Sequence, residues 1–222
     1  MFNLMVSWLK KRVKKDTLLW TALNYIKDII MFTPIVIPIY RRISKNSIFI
    51  FKSELVGAST FPVKLINKTV ELFSPKMVLD LGCGTGKSLD YFLSKRIEVI
   101  GVEGSKIAIS AANHPELIIK YNLEKELKLN KRFDLIWSFE FVEHIHPKFI
   151  DNLLKTFSNH SNRIVLSAAR PGQGGNGHFN EQPEAYWVKQ FEKYGYRSNR
   201  DKIEELRNID ELYAKNMLVF ER

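Results

Sequence analysis

Two carboxylates and three glycines carry the most chemical information in this chain. Val78 and Leu79 lead into Asp80, Leu81 follows, and glycine then takes every second position at Gly82, Gly84 and Gly86. A buried strand running into such a turn is a nucleotide cradle in open α/β sheets. Without a Cβ, the backbone can adopt positive φ and approach a ligand closely. A second apolar run at 98–102 stops at Glu103, with Gly104 next. An acid at the tip of the second strand, about 20 residues past the turn, is placed to bind the two hydroxyls of a ribose. The glycine spacing departs from the G-x-G-x-x-G of dinucleotide sites. Asp80 also sits where a pyrophosphate would be repelled, whereas a ligand carrying ammonium and sulfonium charges would be favoured.

Two further stretches extend the pattern. The apolar run 117–119 precedes Tyr121, Asn122 and Leu123, a third strand and its exit. Residues 133–138 read as a fourth strand that opens onto Phe139, Glu140, Phe141, Val142, Glu143, His144 and Ile145. Taken with 78–86, these stretches resemble the class I S-adenosylmethionine-dependent methyltransferases of small-molecule type. The likeness holds in element order over residues 60–222 and is specific at 78–86, at 103 and at 133–145. It implies an α/β, Rossmann-like sheet of seven strands in the order 3-2-1-4-5-7-6, mostly parallel with the last strand antiparallel. It also implies S-adenosyl-L-methionine as cofactor. By position, Asp80, Gly82, Cys83, Gly84 and Gly86 would surround the methionine part. Glu103 and Gly104 would lie at the ribose, Asn122 and Leu123 near the adenine, and Glu140 against the cofactor or a helix N-terminus.

Methyl transfer from a sulfonium is an in-line displacement, so the protein must align donor and acceptor and exclude water. A base is needed only when the acceptor is protonated, as an alcohol is, and histidine is suited to that at neutral pH. The catalytic candidates are His178, His144 and its neighbour Glu143. His178 lies in a loop at 168–182 that holds Gly172, Gly174, Gly175 and Gly177 around Gln173 and Asn176. Such a loop is either a flexible surface connection or a lid that binds the acceptor. Its exit from the fifth strand on the crevice side favours the second reading. No metal is expected: His144 and His146 are two apart, and His160 and His178 stand alone, unlike the usual zinc spacings.

The chain has 222 residues, 45% hydrophobic and 26% charged, which suits one domain with an appendage. Its single cysteine, Cys83, can form no intrachain disulfide, which fits a reducing, cytoplasmic setting. The position calls for a small residue more than for a nucleophile. The net charge of +10 is uneven: residues 1–50 hold nine lysines and arginines against two aspartates, +7 of that total. Residues 1–15 read as a basic amphipathic helix and 18–32 as a mostly apolar one, until Pro34 and Pro38 break the pattern. The uncharged run 29–40 falls short of the roughly 20 residues that cross a bilayer. Three readings of this arm stay open, in order of preference: a helical cap on the domain, a membrane-surface anchor with Trp8 and Trp20 at the headgroups, and a nucleic-acid arm.

The domain division is therefore 1–50, a basic and apolar helical N-terminal extension, and 51–222, the methyltransferase-like domain. Hydrophobic periodicity predicts helices at 62–73, 88–95, 106–112, 147–157 and 183–194. Strands are predicted at 77–81, 98–102, 117–119, 133–138, 163–167, 196–199 and 217–221. The expected function is O-methylation of a small-molecule, glycan or lipid-linked acceptor, with peripheral membrane contact through 1–45 as a further expectation. The alternatives are an RNA-directed methyltransferase using the basic arm and a nicotinamide oxidoreductase. A nucleic-acid acceptor ranks low, because base N-methylating enzymes carry an Asn/Asp-Pro-Pro-aromatic motif where this chain has Ser138, Phe139, Glu140 and Phe141.

Overall fold

The computed structural model describes residues 61–175 and 177–222. The extension expected at 1–50 lies outside them. Among the described residues, no helix is long and apolar enough to cross a membrane.

The strands are β1 (Met77–Leu81), β2 (Glu98–Glu103), β3 (Ile118–Lys120), β4 (Leu135–Ser138), β5 (Arg163–Ser167), β6 (Arg197–Ser198) and β7 (Met217–Glu221). They form one sheet in the order β3-β2-β1-β4-β5-β7-β6. β1 pairs in parallel with β2 and β4, β2 with β3, and β4 with β5. β7 is antiparallel to both β5 and β6. This is the expected order and sense. Val78, Leu79 and Leu81 of β1, and all of β4, are buried, as central strands covered on both faces must be. The edge strands have three and two residues, too short to template further pairing.

The helices are α1 (Val63–Phe73), α2 (Lys87–Ser94), α3 (Lys106–Ser110), α4 (Ile150–His160), α5 (Glu184–Glu192) and α6 (Arg200–Arg207). Three of them bury apolar stripes: Leu65, Ile66 and Phe73 from α1, Leu153, Leu154 and Phe157 from α4, and Trp187 and Phe191 from α5. Aromatic packing joins the layers. Phe191 stacks on Phe220 of β7 with ring centres 4.2 Å apart, and Phe157 meets Phe191 edge-on at 5.4 Å.

Element ends shift by one or two residues in several places, at β3, β4, α3 and α5 among them, and three elements differ more deeply. The helix expected from 147 starts as a 3-10 turn at Pro147–Phe149, and the α-helix proper runs on to His160. The sixth strand is cut to Arg197–Ser198 because Asn199 turns its side chain to cap α6, accepting from the Lys202 amide at 3.1 Å. Helix α6 itself was not expected. Its sequence is almost wholly charged, and only Ile203 and Leu206 are buried.

The chain leaves β3 at one side and re-enters at β4 on the far side of β1. That reversal puts a crevice beyond the carboxyl ends of β1 and β4, where open α/β sheets bind ligands.

Candidate active site

The glycine turn closes the end of β1. Gly82, Gly84 and Gly86 all have positive φ, at 75°, 56° and 77°. At Gly82 a second constraint adds to the first, since a Cβ there would lie 2.1 Å from the Phe141 ring. The turn and the exit of β4 are thus pressed together, and Gly86 hands the chain to α2. The Cys83 side chain turns away into the sheet, where Gly101 makes room for it: a Cβ on Gly101 would lie 2.7 Å from Sγ. Burial, with Asp80 and Glu103 nearby, pushes the Cys83 thiol well up, so it is no nucleophile.

Asp80 is 2% exposed, and its Oδ2 has no hydrogen-bond partner. Burial, reinforced by the neighbouring Glu103 carboxylate, pushes its pKa up to about 8. Glu103 is also buried. One oxygen accepts from the Gly84 amide at 3.0 Å and the other from the Ser105 amide at 2.7 Å. The Gly104 amide adds to this. Burial still outweighs these donors and raises the pKa of Glu103. A carboxylate offers about four lone-pair directions, so three amides leave capacity for a hydroxyl. Two acids side by side in a dry turn, one with an orphaned oxygen, make a cradle for a cation and a diol. The residues present therefore fit an S-adenosylmethionine-type ligand.

The other expected cofactor contacts are engaged locally. Asn122 accepts from the Glu124 amide at 3.0 Å, and its own amide group faces the Glu124 carboxylate. Leu123 is buried. Glu140 has a positive φ of 46°. Its carboxylate accepts from Gln173 at 2.8 Å and from Asn216 at 2.9 Å, and its amide donates to Ser167 Oγ at 2.6 Å. Glu140 thus ties the loop after β5 to the turn before β7. Sequence reasoning singled out neither Ser167 nor Asn216 for this network, and their only sequence signal is that they flank strands.

The glycine-rich loop is strongly tethered. The amides of Phe179 and Asn180 both donate to the Glu143 carbonyl at 3.0 Å. Glu181 accepts from the Gly172 amide at 2.9 Å. His144 Nδ1 lies 3.1 Å from the Gly177 carbonyl, and His178 Nδ1 lies 2.8 Å from Glu181. Burial pushes Glu181 up, but His178 and the amides of Gly172 and Gly174 outweigh it and leave its pKa low. The two imidazoles meet edge-on, with centres 4.9 Å apart. Gly175 packs over one of them, since a Cβ there would lie 2.3 Å from His178 Nε2. The glycines of this loop serve close packing as well as turning.

Glu143 completes the group. It is fully buried, and neither carboxylate oxygen reaches a donor in hydrogen-bond geometry. Burial and the nearby Glu140 raise its pKa well above the usual range; its own amide and that of Ala169 only moderate this. Asn180, 1% exposed, likewise has both side-chain polar atoms unpartnered. One ligand-type atom each from Glu143, His144 and His178 lies within 4.8 Å of the others. The expected absence of a metal rested on spacing along the chain, and it is the loop's return path that closes the gap between 144 and 178. His160, by contrast, is a satisfied core residue: it faces the Thr156 carbonyl at 2.6 Å and accepts from the Leu129 amide at 2.9 Å.

The sequence profile of the methyltransferase domain family matches residues 58–213. The chain belongs to this family. As a member, the methyltransferase draws its methyl group from S-adenosylmethionine, which removes the nicotinamide oxidoreductase alternative. It is 30% identical over 159 residues to the ubiquinone biosynthesis O-methyltransferase of Pelagibacter ubique, a match covering 67% of this chain and 59% of that protein. It is 38% identical over 74 residues to the protein of the same name from Nitrobacter winogradskyi, covering 31% of this chain and 28% of that one. The methyltransferase therefore matches between 28% and 59% of the length of these relatives. Among solved structures it superposes on a SAM-dependent methyltransferase from Archaeoglobus fulgidus with a TM-score of 0.55 at 19% identity, covering 72% of this chain and 92% of that one. It also superposes on the sugar N-methyltransferase KedS8 from Streptoalloteichus with a TM-score of 0.58 at 13% identity, covering 72% and 86%. Likenesses at that identity establish the fold.

Proposed function

We propose that this methyltransferase O-methylates a hydroxyl group on a small molecule, with the acceptor oxygen set against Glu143, His144 and His178. The observation that carries this reading is the convergence of those three side chains beside the crevice. N-methylation of an unprotonated amine would need no such group, whereas a hydroxyl must lose its proton before or during transfer. The O-methyltransferase names of the curated relatives support the same direction.

When bound, S-adenosylmethionine supplies a methyl group already activated on a sulfonium. Asp80 would hold the ammonium of its methionine part, which would satisfy the orphaned oxygen and favour the charged carboxylate. Glu103 would take the ribose hydroxyls beside the amides it already accepts. Asp80 is buried within β1 and Glu103 is fixed by the Gly84 and Ser105 amides, so little ordering is required on binding. Phe141 against Gly82 and the tethered loop 168–182 help keep water from the acceptor side.

Calorimetry with S-adenosylmethionine, paired with product detection on a panel of phenolic, aliphatic and amino acceptors, tests the reading. Glu103→Ala is expected to weaken cofactor binding by about 1–3 kcal/mol. Turnover confined to amines, or cofactor affinity unchanged in Glu103→Ala, would contradict it.

A further inference from the structure

We propose that Glu143, His144 and His178 form a divalent-metal site of the zinc class at the acceptor side of the crevice. The inference deepens the methyl-transfer reading and rests on it for the metal's role, but not for its binding.

Three atoms within 4.8 Å of one another can be enclosed so that a central ion lies at most about 2.8 Å from each. That is about 0.7 Å beyond a zinc–nitrogen bond, a gap that small side-chain rotations close. The donor chemistry is also fixed. The Gly177 carbonyl can only accept, so His144 Nδ1 carries a proton toward it, and neutral His144 has its lone pair on Nε2. The Glu181 carboxylate imposes the same tautomer on His178. A histidine whose far nitrogen donates to a carboxylate or backbone carbonyl is the usual outer support of a metal-bound imidazole.

Glu143 supplies the second, independent observation. Its side chain is fully buried, faces the two rings and has no partner for either oxygen. Neither imidazole reaches its oxygens in hydrogen-bond geometry, and the Glu140 and Glu181 carboxylates lie nearby. A divalent cation answers both deficits. Two nitrogens and one oxygen suit zinc and its first-row neighbours rather than magnesium or calcium. Three protein ligands leave a coordination position for an exogenous oxygen, the mark of a catalytic site rather than a structural one. A cation there would lower the pKa of a bound hydroxyl, so that its proton could pass to solvent water without either histidine acting as the base.

The test uses the full chain, stripped with chelator and dialysed. Zinc is titrated by calorimetry, cobalt by visible absorption, and bound metal is counted by elemental analysis. One ion per chain is expected. Glu181→Ala, which removes only the outer support, should weaken binding 10- to 100-fold, and His178→Ala should weaken it further. Because Glu143 is in the core, Glu143→Gln serves as a check only where circular dichroism shows it folded. Absence of saturable binding in the folded wild type overturns the proposal. So does zinc binding that is unchanged in His178→Ala, which would mark ions held elsewhere on the surface. S-adenosylmethionine affinity measured on the same samples separates the two claims. Cofactor binding without metal sinks the metal site alone, and metal binding without cofactor sinks the methyl-transfer reading alone.

Discussion

Asp80 is more useful to the ligand than to the fold. Its pKa in the free protein, about 8, lies above the value of 3.8 it would have when exposed. A raised acid contributes stability that is present below the unfolded pKa and lost as pH climbs through the folded one. The burden of Asp80 therefore grows between about pH 4 and pH 8 and is full above that. Asp80→Asn removes it. The ligand-free variant is expected to melt at nearly the wild-type temperature near pH 4 and at a higher temperature near pH 9, followed by scanning calorimetry across that range. The same change should weaken S-adenosylmethionine binding by about 1.5–3 kcal/mol, because a charge-assisted hydrogen bond to the ammonium is lost. A melting difference that does not widen with pH would show that Asp80 is not ionised at a cost in the fold. Glu140 shows a related compromise, since its left-handed backbone is held by three hydrogen bonds from elements far away in sequence.

At the scale of elements, strands were easier to read than helix ends. β1, β5 and β7 are apolar runs bounded by turn residues, and their limits agree with expectation to the residue. Helix α6 escaped because its buried face is only two side chains wide in eight residues, too few for a periodic signal. Helix α1 shows a dependence no local pattern could reveal. Pro62 gives it no side-chain cap, and the cap comes instead from Glu211 near the other end of the domain, which accepts from the Lys64 amide at 3.1 Å and the Leu65 amide at 2.7 Å. Glu211→Ala should cost about 1 kcal/mol of stability by denaturant unfolding, in the range of N-cap losses, with Glu211→Gln costing less. No change in midpoint would mean that water replaces the cap fully.

At the scale of the whole molecule, the cofactor cradle draws its named residues from 80–105 and the acceptor cluster from 143–178, both hung from the centre of one sheet. A chain limited to 51–222 should therefore bind S-adenosylmethionine within about threefold of the full-length affinity, as separated regions act independently. A much larger loss would favour a capping role for residues 1–50. The sequence by itself determined the alternation of strands and helices, the glycine turn with its two acids, and through them the family, because period and turn chemistry are written within about ten residues. Only the tertiary structure decided which polar groups meet. Glu140 binds Gln173 and Asn216, and Glu143 and His144 are brought to His178 by a loop tethered to the Glu143 carbonyl through the Phe179 and Asn180 amides. Such meetings depend on sheet register and on where a long connection returns, and neither leaves a mark in the local order of residues.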